Sequence, residues 1–267
     1  MEKINGVSYA NIVKFIGKTK NEMFRFAGNS KPAAAAPSLV ATDLVFNADA
    51  SDTDSYDGSS IIDSVGSVRG DFSNGAYVDS TTDGGVIYTD GTNDHVRWGA
   101  RSPLLFNRGA DKTLQAWVEV LDADVNYWVM TDMGPSRDRG HYVRILGGKL
   151  MFGGSPNGSN TYKWQISTNQ VIFQNTPTMI TVVHKVATPE LEFYIDGTLV
   201  AQEGYPSWGG VSTSYNDSRA ANTTTGIYYN NALPYQGRVG QILVYDRALS
   251  STEITQNYNA TKTRFGL

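Results

Sequence analysis

Residues 178–202, T-M-I-T-V-V-H-K-V-A-T-P-E-L-E-F-Y-I-D-G-T-L-V-A-Q, constrain the fold more than any other stretch. Thr178–Val186 and Leu191–Ile195 are short apolar runs rich in β-branched residues, separated by A-T-P-E, and such runs form strands. Asp196-Gly197 then turns the chain into Thr198–Gln202, because Asp and Gly tolerate the positive φ that a tight hairpin needs. The same grammar recurs upstream, where Tyr142–Leu146 and Lys149–Phe152 flank Gly147-Gly148. Thr113–Leu121 alternates, with Leu114, Ala116, Val118 and Val120 on one face, and Val239–Tyr245 supplies a further strand. Leu39-Val40 and Leu44–Phe46 precede a loop of Asp and Ser. Strands joined by Gly, Asn, Asp and Pro turns predict a mainly β, antiparallel sandwich over 39–267, and ~230 residues is an ordinary length for one such domain.

A single helix interrupts this pattern. Ser250-Ser251-Thr252-Glu253 is a capping box, with Ser250 at the N-cap and Glu253 three residues on. Leu249 and Ile254 occupy the staple positions, and Ile254 and Tyr258 form a short apolar stripe. The pattern predicts a helix from 251 to about 259, packed on the outside of the sandwich.

The first 31 residues differ in character. They hold Lys3, Lys14, Lys18, Lys20, Arg25 and Lys31 against Glu2 and Glu22, a net of +4, while the other 236 residues carry a net of −8. Gly6, Gly17 and Gly28 lie eleven apart and frame an imperfect repeat in which Ser8 matches Thr19, Ile12 matches Met23, Lys14 matches Arg25 and Phe15 matches Phe26. Two such units cannot bury themselves and need a partner surface. Residues 1–30 are therefore expected to be an anchoring arm, with Phe15, Phe26, Lys14, Lys18, Lys20 and Arg25 as its contact residues. K-P-A-A-A-A-P-S at 31–38 is a stiff, extended linker, since Pro37 disfavours helix at Ala36. Six cations diluted by two glutamates make a weak phosphate footprint, so nucleic acid is not expected as a partner. No apolar run approaches the ~18 residues of a membrane span, and no h-region of a secretory signal follows Met1. The chain has no cysteine, which removes disulfides, thiolate metal sites and cysteine nucleophiles and leaves packing or homo-oligomerisation to supply stability.

Four stretches together resemble the concanavalin A-like (laminin G-like) jelly-roll domain in the form found in tailed-bacteriophage virion proteins. They are D-L-V-F-N-A-D-A-S-D-T-D-S-Y (43–56), G-G-V-I-Y-T-D-G-T-N-D-H-V-R-W-G (84–99), residues 177–201 and residues 237–267. Tyr88, His95 and Pro177-Thr178 depart from the usual residues of these segments. I-N-G-V at 4–7 and its echo resemble the N-termini of tailed-phage structural proteins. The resemblance implies a virion component made in the host cytoplasm, joined to other virion proteins through its arm. It displays a lectin-like sandwich to a partner protein or host-surface glycan.

The chemistry available is that of a binding module. Glucanases on this fold use E-x-D-x-x-E or E-x-D-x-E, which sets acid and nucleophile on one strand face at about 5 Å. The nearest strings, Glu119-Val-Leu-Asp122 and Glu190-Leu-Glu192, do not fit, so no catalytic residue is expected; a glycan hydrolase and a bacterial adhesin are the alternatives. Asp49, Asp52, Asp54 and Asp57 share one loop that calcium would suit, yet Asp and Ser also build turns with no ion, and the turn reading is preferred with no cofactor expected. Asp90 and Asp94 are likewise turn residues, and His184, inside an apolar strand, is a hydrogen-bonded sheet histidine. Tyr162 and Trp164 in one loop, and Tyr205, Trp208 and Tyr215 in another, are the candidate glycan or partner contacts, because aromatic faces among Gly, Ser and Asn stack on sugar rings and mark interfaces alike.

The arm carries too few apolar residues to offset chain entropy, whereas the body carries its own core. Limited proteolysis is expected to cut between Gly28 and Ser38 and to leave residues 39–267 intact; a body that is digested or aggregates after that cut contradicts the boundary.

Overall fold

Both predicted hairpins form. In a computed structural model of the chain, the turn residues Gly147 and Gly148 have φ of 55° and 68°, and Asp196 and Gly197 have φ of 50° and 79°. Positive φ at both central residues matches the right-handed twist of the flanking strands. The structure describes residues 3–4, 7–8, 37–99, 104, 110–122, 126–133, 139–154, 164–169, 172–204, 223–227 and 234–267. It divides into two units, Met1–Pro37 and Ser38–Leu267. In the first, β1 (Lys3–Ile4) pairs antiparallel with β2 (Val7–Ser8).

The second unit is a sandwich of two antiparallel sheets. Sheet I has β4 (Ser60–Ile62), β5 (Arg69–Ser73), β8 (His95–Trp98), β10 (Asn126–Met133), β11 (Arg139–Leu146), β12 (Lys149–Gly154), β13 (Trp164–Ser167) and β17 (Thr223–Thr225), in the order β13-β12-β11-β10-β17-β8-β5-β4. Sheet II has β6 (Tyr77–Asp79), β7 (Val86–Asp90), β9 (Lys112–Val120), β14 (Thr178–Lys185), β15 (Glu190–Ile195), β16 (Thr198–Gly204) and β18 (Gln236–Tyr245), in the order β16-β15-β14-β9-β18-β7-β6. β3 (Leu44–Asp49) adds to sheet II beside the second half of β18. Between the sheets lies an apolar layer that includes Phe46, Trp98, Leu114, Phe152, Phe193 and Ile242. Trp98 and Phe46 meet edge to face at 5.0 Å, and Gly70 leaves the space that the Trp98 ring occupies.

One expectation needs correction. The alternation of 113–121 predicts one buried face, but β9 is buried along both. Leu114, Ala116, Val118 and Val120 face the inter-sheet core, while Trp117 belongs to a second apolar cluster on the other side. The cause is the C-terminal segment. Helix α1 (Ser251–Thr261) and one turn of 3-10 helix (Lys262–Phe265) lie over the outer face of sheet II, so α1 runs past the predicted end at 259. The capping box forms, with the Ser250 hydroxyl accepting from the Glu253 N–H and the Glu253 carboxylate accepting from Ser250 N–H. Leu249 and Ile254 are both buried. Trp117 stacks on Phe265 at 4.1 Å and 19°, and Gly240 beneath Phe265 has no Cβ to obstruct the ring.

A buried amide fastens this seal. Asn257 is fully buried; its Oδ1 accepts the Val40 N–H at 2.8 Å, and its Nδ2 donates to Gln115 Oε1 at 2.5 Å and Tyr245 Oη at 2.9 Å. Tyr245 in turn donates to the Val40 carbonyl at 3.0 Å. Leu39-Val40 therefore does not form a strand; it is strapped to α1 instead. Removing the amide leaves the Val40 N–H and Gln115 Oε1 without a partner, and each such group costs about 1–3 kcal/mol. Asn257→Ala is expected to lower unfolding stability by about 3 kcal/mol in urea titrations, against about 0.5 kcal/mol for half-buried Gln256→Ala.

Candidate functional site

Strand register lays a row of side chains across the outward face of sheet I. Asp71 faces Arg97, Arg97 faces Thr224, Thr224 faces Thr131, Thr131 faces Tyr142, and Tyr142 faces Gly153. Strand alternation sends Val96, Val143 and Phe152 into the core and leaves this row on the opposite face of the sheet, where Thr131, Tyr142 and Thr224 are buried. One rung further, Arg144 lies between Trp128 and Met151.

Trp128, Tyr142 and Arg144 form one cluster. The rings of Trp128 and Tyr142 meet edge to face at 5.0 Å, and the Arg144 guanidinium lies 5.3 Å from the first and 5.2 Å from the second. A Cβ at Gly153 would overlap the Tyr142 phenol, so the glycine lets that ring lie against β12. Trp128 and Tyr142 are buried and Arg144 is half-buried. The two rings are thus a bed that holds a cation in place, an arrangement worth about 0.5–2 kcal/mol. A guanidinium so held has a planar set of donors suited to oxygen acceptors. Acid–base work needs a pair of groups at fixed separation. Among the described side chains of the row, Asp71 is the single carboxylate, and Arg69 pairs with it at 2.6 Å.

The acidic strings singled out in the sequence lie on the other sheet. Glu119 accepts from Arg238 at 2.7 Å. Glu192 pairs with Lys185 and accepts from the Tyr194 hydroxyl, whose pKa is pushed up by burial and by that carboxylate. Glu190 is held below its usual range by hydrogen bonds from Gln202 and Lys185. The Asp loop turns its oxygens inward on its own backbone. Asp49 Oδ1 accepts the Ser51 N–H at 2.9 Å, Asp52 Oδ1 accepts the Asp54 N–H at 3.1 Å, and Asp57 takes the N–H groups of Ser59 and Ser60. Those bonds hold the Asp57 carboxyl well below the carboxylate range. These bonds make the loop a series of Asp-capped turns. Asp90 accepts the Thr92 N–H and Asp94 the Asp90 N–H, which makes both of them turn residues.

The strand ends that flank the two aromatic-rich segments lie at one end of the sandwich. Trp164 opens β13 opposite Gly154, the last residue of β12. Thr223 opens β17 beside Asp132 and Trp98, and Met133 lies opposite Arg139 at the same end. His141 of sheet I and His184 of sheet II both stack on Phe152, which places Lys112, His184 and Gly204 at that end too. The last residues of β12 and β16 and the first residues of β13 and β17 therefore lie at the end nearest Tyr142. Tyr162, Tyr205, Trp208 and Tyr215 lie outside the described residues, as do Phe15, Phe26, Lys14, Lys18, Lys20 and Arg25. Trp128, Tyr142 and Arg144 were not singled out in the sequence. The signal for them is the alternation Tyr142-Val-Arg144-Ile, in which core-facing Val143 and Ile145 alternate with two large side chains that must point the other way.

The family model described as Laminin_G_3, concanavalin A-like lectin/glucanases superfamily, matches residues 72–255. No curated protein matches the chain by sequence. Among solved structures, the receptor-binding domain of botulinum neurotoxin C/D mosaic serotype aligns with TM-score 0.60 and 12% identity, covering 81% of this chain and 51% of that one. The binding domain of Paraclostridial Mosquitocidal Protein 1 aligns with TM-score 0.60 and 17% identity, covering 82% and 52%. A third, with TM-score 0.60, 10% identity and coverage of 82% and 51%, belongs to botulinum neurotoxin type C, whose cell entry is described as dependent on two ganglioside molecules. The chain spans about half the length of each of these, and the likeness is one of fold.

His184 is fully buried against Phe152, at 6.3 Å between rings, and burial pushes its pKa down to about 4 against the opposing charge of Asp111. The folded state holds the ring neutral, while the unfolded chain takes a proton near pH 6.5. This contribution is complete above that pH and is lost as the pH falls towards 4, by at most about 3 kcal/mol. Urea midpoints at about pH 7 and pH 4.5 are expected to differ more for the natural chain than for His184→Gln.

Proposed function

The chain belongs to the concanavalin A-like lectin/glucanase superfamily, and from that premise we propose that it is a non-enzymatic structural protein of a tailed-phage virion. Its basic N-terminal arm attaches it to other virion proteins, as a capsid decoration, fibre or tail-associated component. The sandwich is displayed for binding a partner protein or a host-surface glycan. The observation that carries this reading is the division of charge: residues 1–31, which hold the repeat, carry net +4 and precede a body of net −8. The arm's lysines steer it to an acidic surface, its phenylalanines supply affinity, and the acidic body stays soluble and outward.

The state of the carboxylates supports a binding role. Glu119, Glu190 and Glu192 are engaged by Arg238, Lys185 and Gln202 on sheet II, away from the outward face of sheet I. On that face Arg144 lies over the rings of Trp128 and Tyr142. The neurotoxin relatives are receptor-binding domains, one of them in complex with rat synaptotagmin II, which supports glycan or protein recognition for this sandwich as well. Homo-oligomerisation in the particle multiplies weak contacts of this kind.

Deleting residues 2–30 is expected to leave a folded, soluble body that no longer joins the particle. Replacing Phe15 and Phe26 with Ser is expected to weaken incorporation more than replacing Lys18 and Lys20, because rim charges act chiefly on association rate. A truncated body that copurifies with particles at full occupancy overturns the division between arm and body. Turnover of a β-glucan or host polysaccharide, abolished by one carboxylate substitution, makes the protein a hydrolase instead.

A further inference from the structure

Sheet II ends at β16, and that end is open. β16 is seven residues long and borders β15 alone; among the described residues no other backbone group pairs with its outer edge. The edges at β4 and β6 are three residues each. Along β16 every residue but Ala201 is exposed. A strand edge of this length carries a row of free N–H and C=O groups. Such a row takes up a further strand unless lysine, proline, a bulge or a cover prevents it. β16 holds neither lysine nor proline.

The strand is also apolar at its centre. Leu199 is 44% and Val200 38% exposed, and Ala201 packs against the inter-sheet core beside them. Its one charge, Glu203, sits near one end. An antiparallel copy of β16, related by a two-fold axis at Val200–Ala201, sets this apolar centre against itself and sends the two Glu203 carboxylates to opposite ends. A parallel copy would set them side by side. β16 carries one bulge: Phe193 faces Ala201 and Tyr194 faces Leu199, which leaves Val200 outside the ladder. A bulge increases the local twist, so a straight foreign strand fits this edge badly, whereas a second copy brings the same twist.

We propose that β16 is a self-association edge, at which a second copy of this chain adds its own β16 antiparallel and joins the two copies of sheet II into one. A seven-residue seam buries less than the ~800 Å² per partner of a standard interface, so the dimer is weak in solution and gains from copies held close together. It stands apart from the virion assignment, because it is read on the purified chain and not on particles.

Sedimentation equilibrium on the full chain is expected to show monomer–dimer exchange with a midpoint between about 10 µM and about 1 mM. Val200→Lys and Leu199→Lys each place a charge at an exposed position, so the urea midpoint is expected to hold while dimerisation weakens about tenfold. The chain has no cysteine of its own, which makes a single introduced thiol a clean reporter. Val200→Cys is expected to give a disulfide-linked dimer under a mild oxidant. Gly204→Cys, whose two copies lie about 20 Å or more apart in this pairing, is not. A chain that stays monomeric at about 1 mM overturns the proposal. A dimer that survives both lysine variants, that cross-links through Gly204→Cys in place of Val200→Cys, or that vanishes when residues 2–30 are deleted overturns it as well.

Discussion

One buried amide holds the architecture together. Asn257 reaches from α1 to the backbone of Val40, to Gln115 on β9 and to Tyr245 on β18, so a single side chain joins the start of the domain, its two central strands and its last helix. A buried polar group is tolerated only where its partners are all present. Once they are, the helix has one seat. Trp117, Phe265 and Ile254 then close an apolar layer that the sheet alone would expose.

That closure gives the two sheets different chemistry. Sheet II carries helix, ion pairs and a narrow open strip beside β6 and β7. Sheet I carries no helix on its outward face among the described residues, and there the register sets Arg144 against Trp128 and Tyr142. Both faces combine aromatic rings with a guanidinium, yet the surroundings differ. Arg238 pairs with Glu119, and Arg144 lies over the rings of Trp128 and Tyr142.

Much of the fold was legible in the residues, because hairpin turns and capping boxes are local. Gly147-Gly148, Asp196-Gly197 and Ser250–Glu253 each adopt the conformation their own side chains dictate. The strands that escaped notice, such as β5 (R-G-D-F-S) and β17 (T-T-T), are short and polar, and only pairing with β8 and β10 makes them strands. The double burial of β9 was equally invisible, since Thr113, Gln115 and Glu119 read as a solvent face until α1, more than a hundred residues later, covers it. The candidate site follows the same rule. Aromatic-rich loops stand out in a sequence, whereas Trp128 and Arg144 are neighbours only through cross-strand register.

The strap at the start of the domain has a mechanical meaning. Ser38 offers its carbonyl to Gln256, and Val40 is held by Asn257 on one side and Tyr245 on the other. The first strand, β3, begins only after the turn at 41–43. A pull on Ser38 therefore acts first on its bonds to α1 and on the Val40–Tyr245 contact, not on the pairing of β3 with β18.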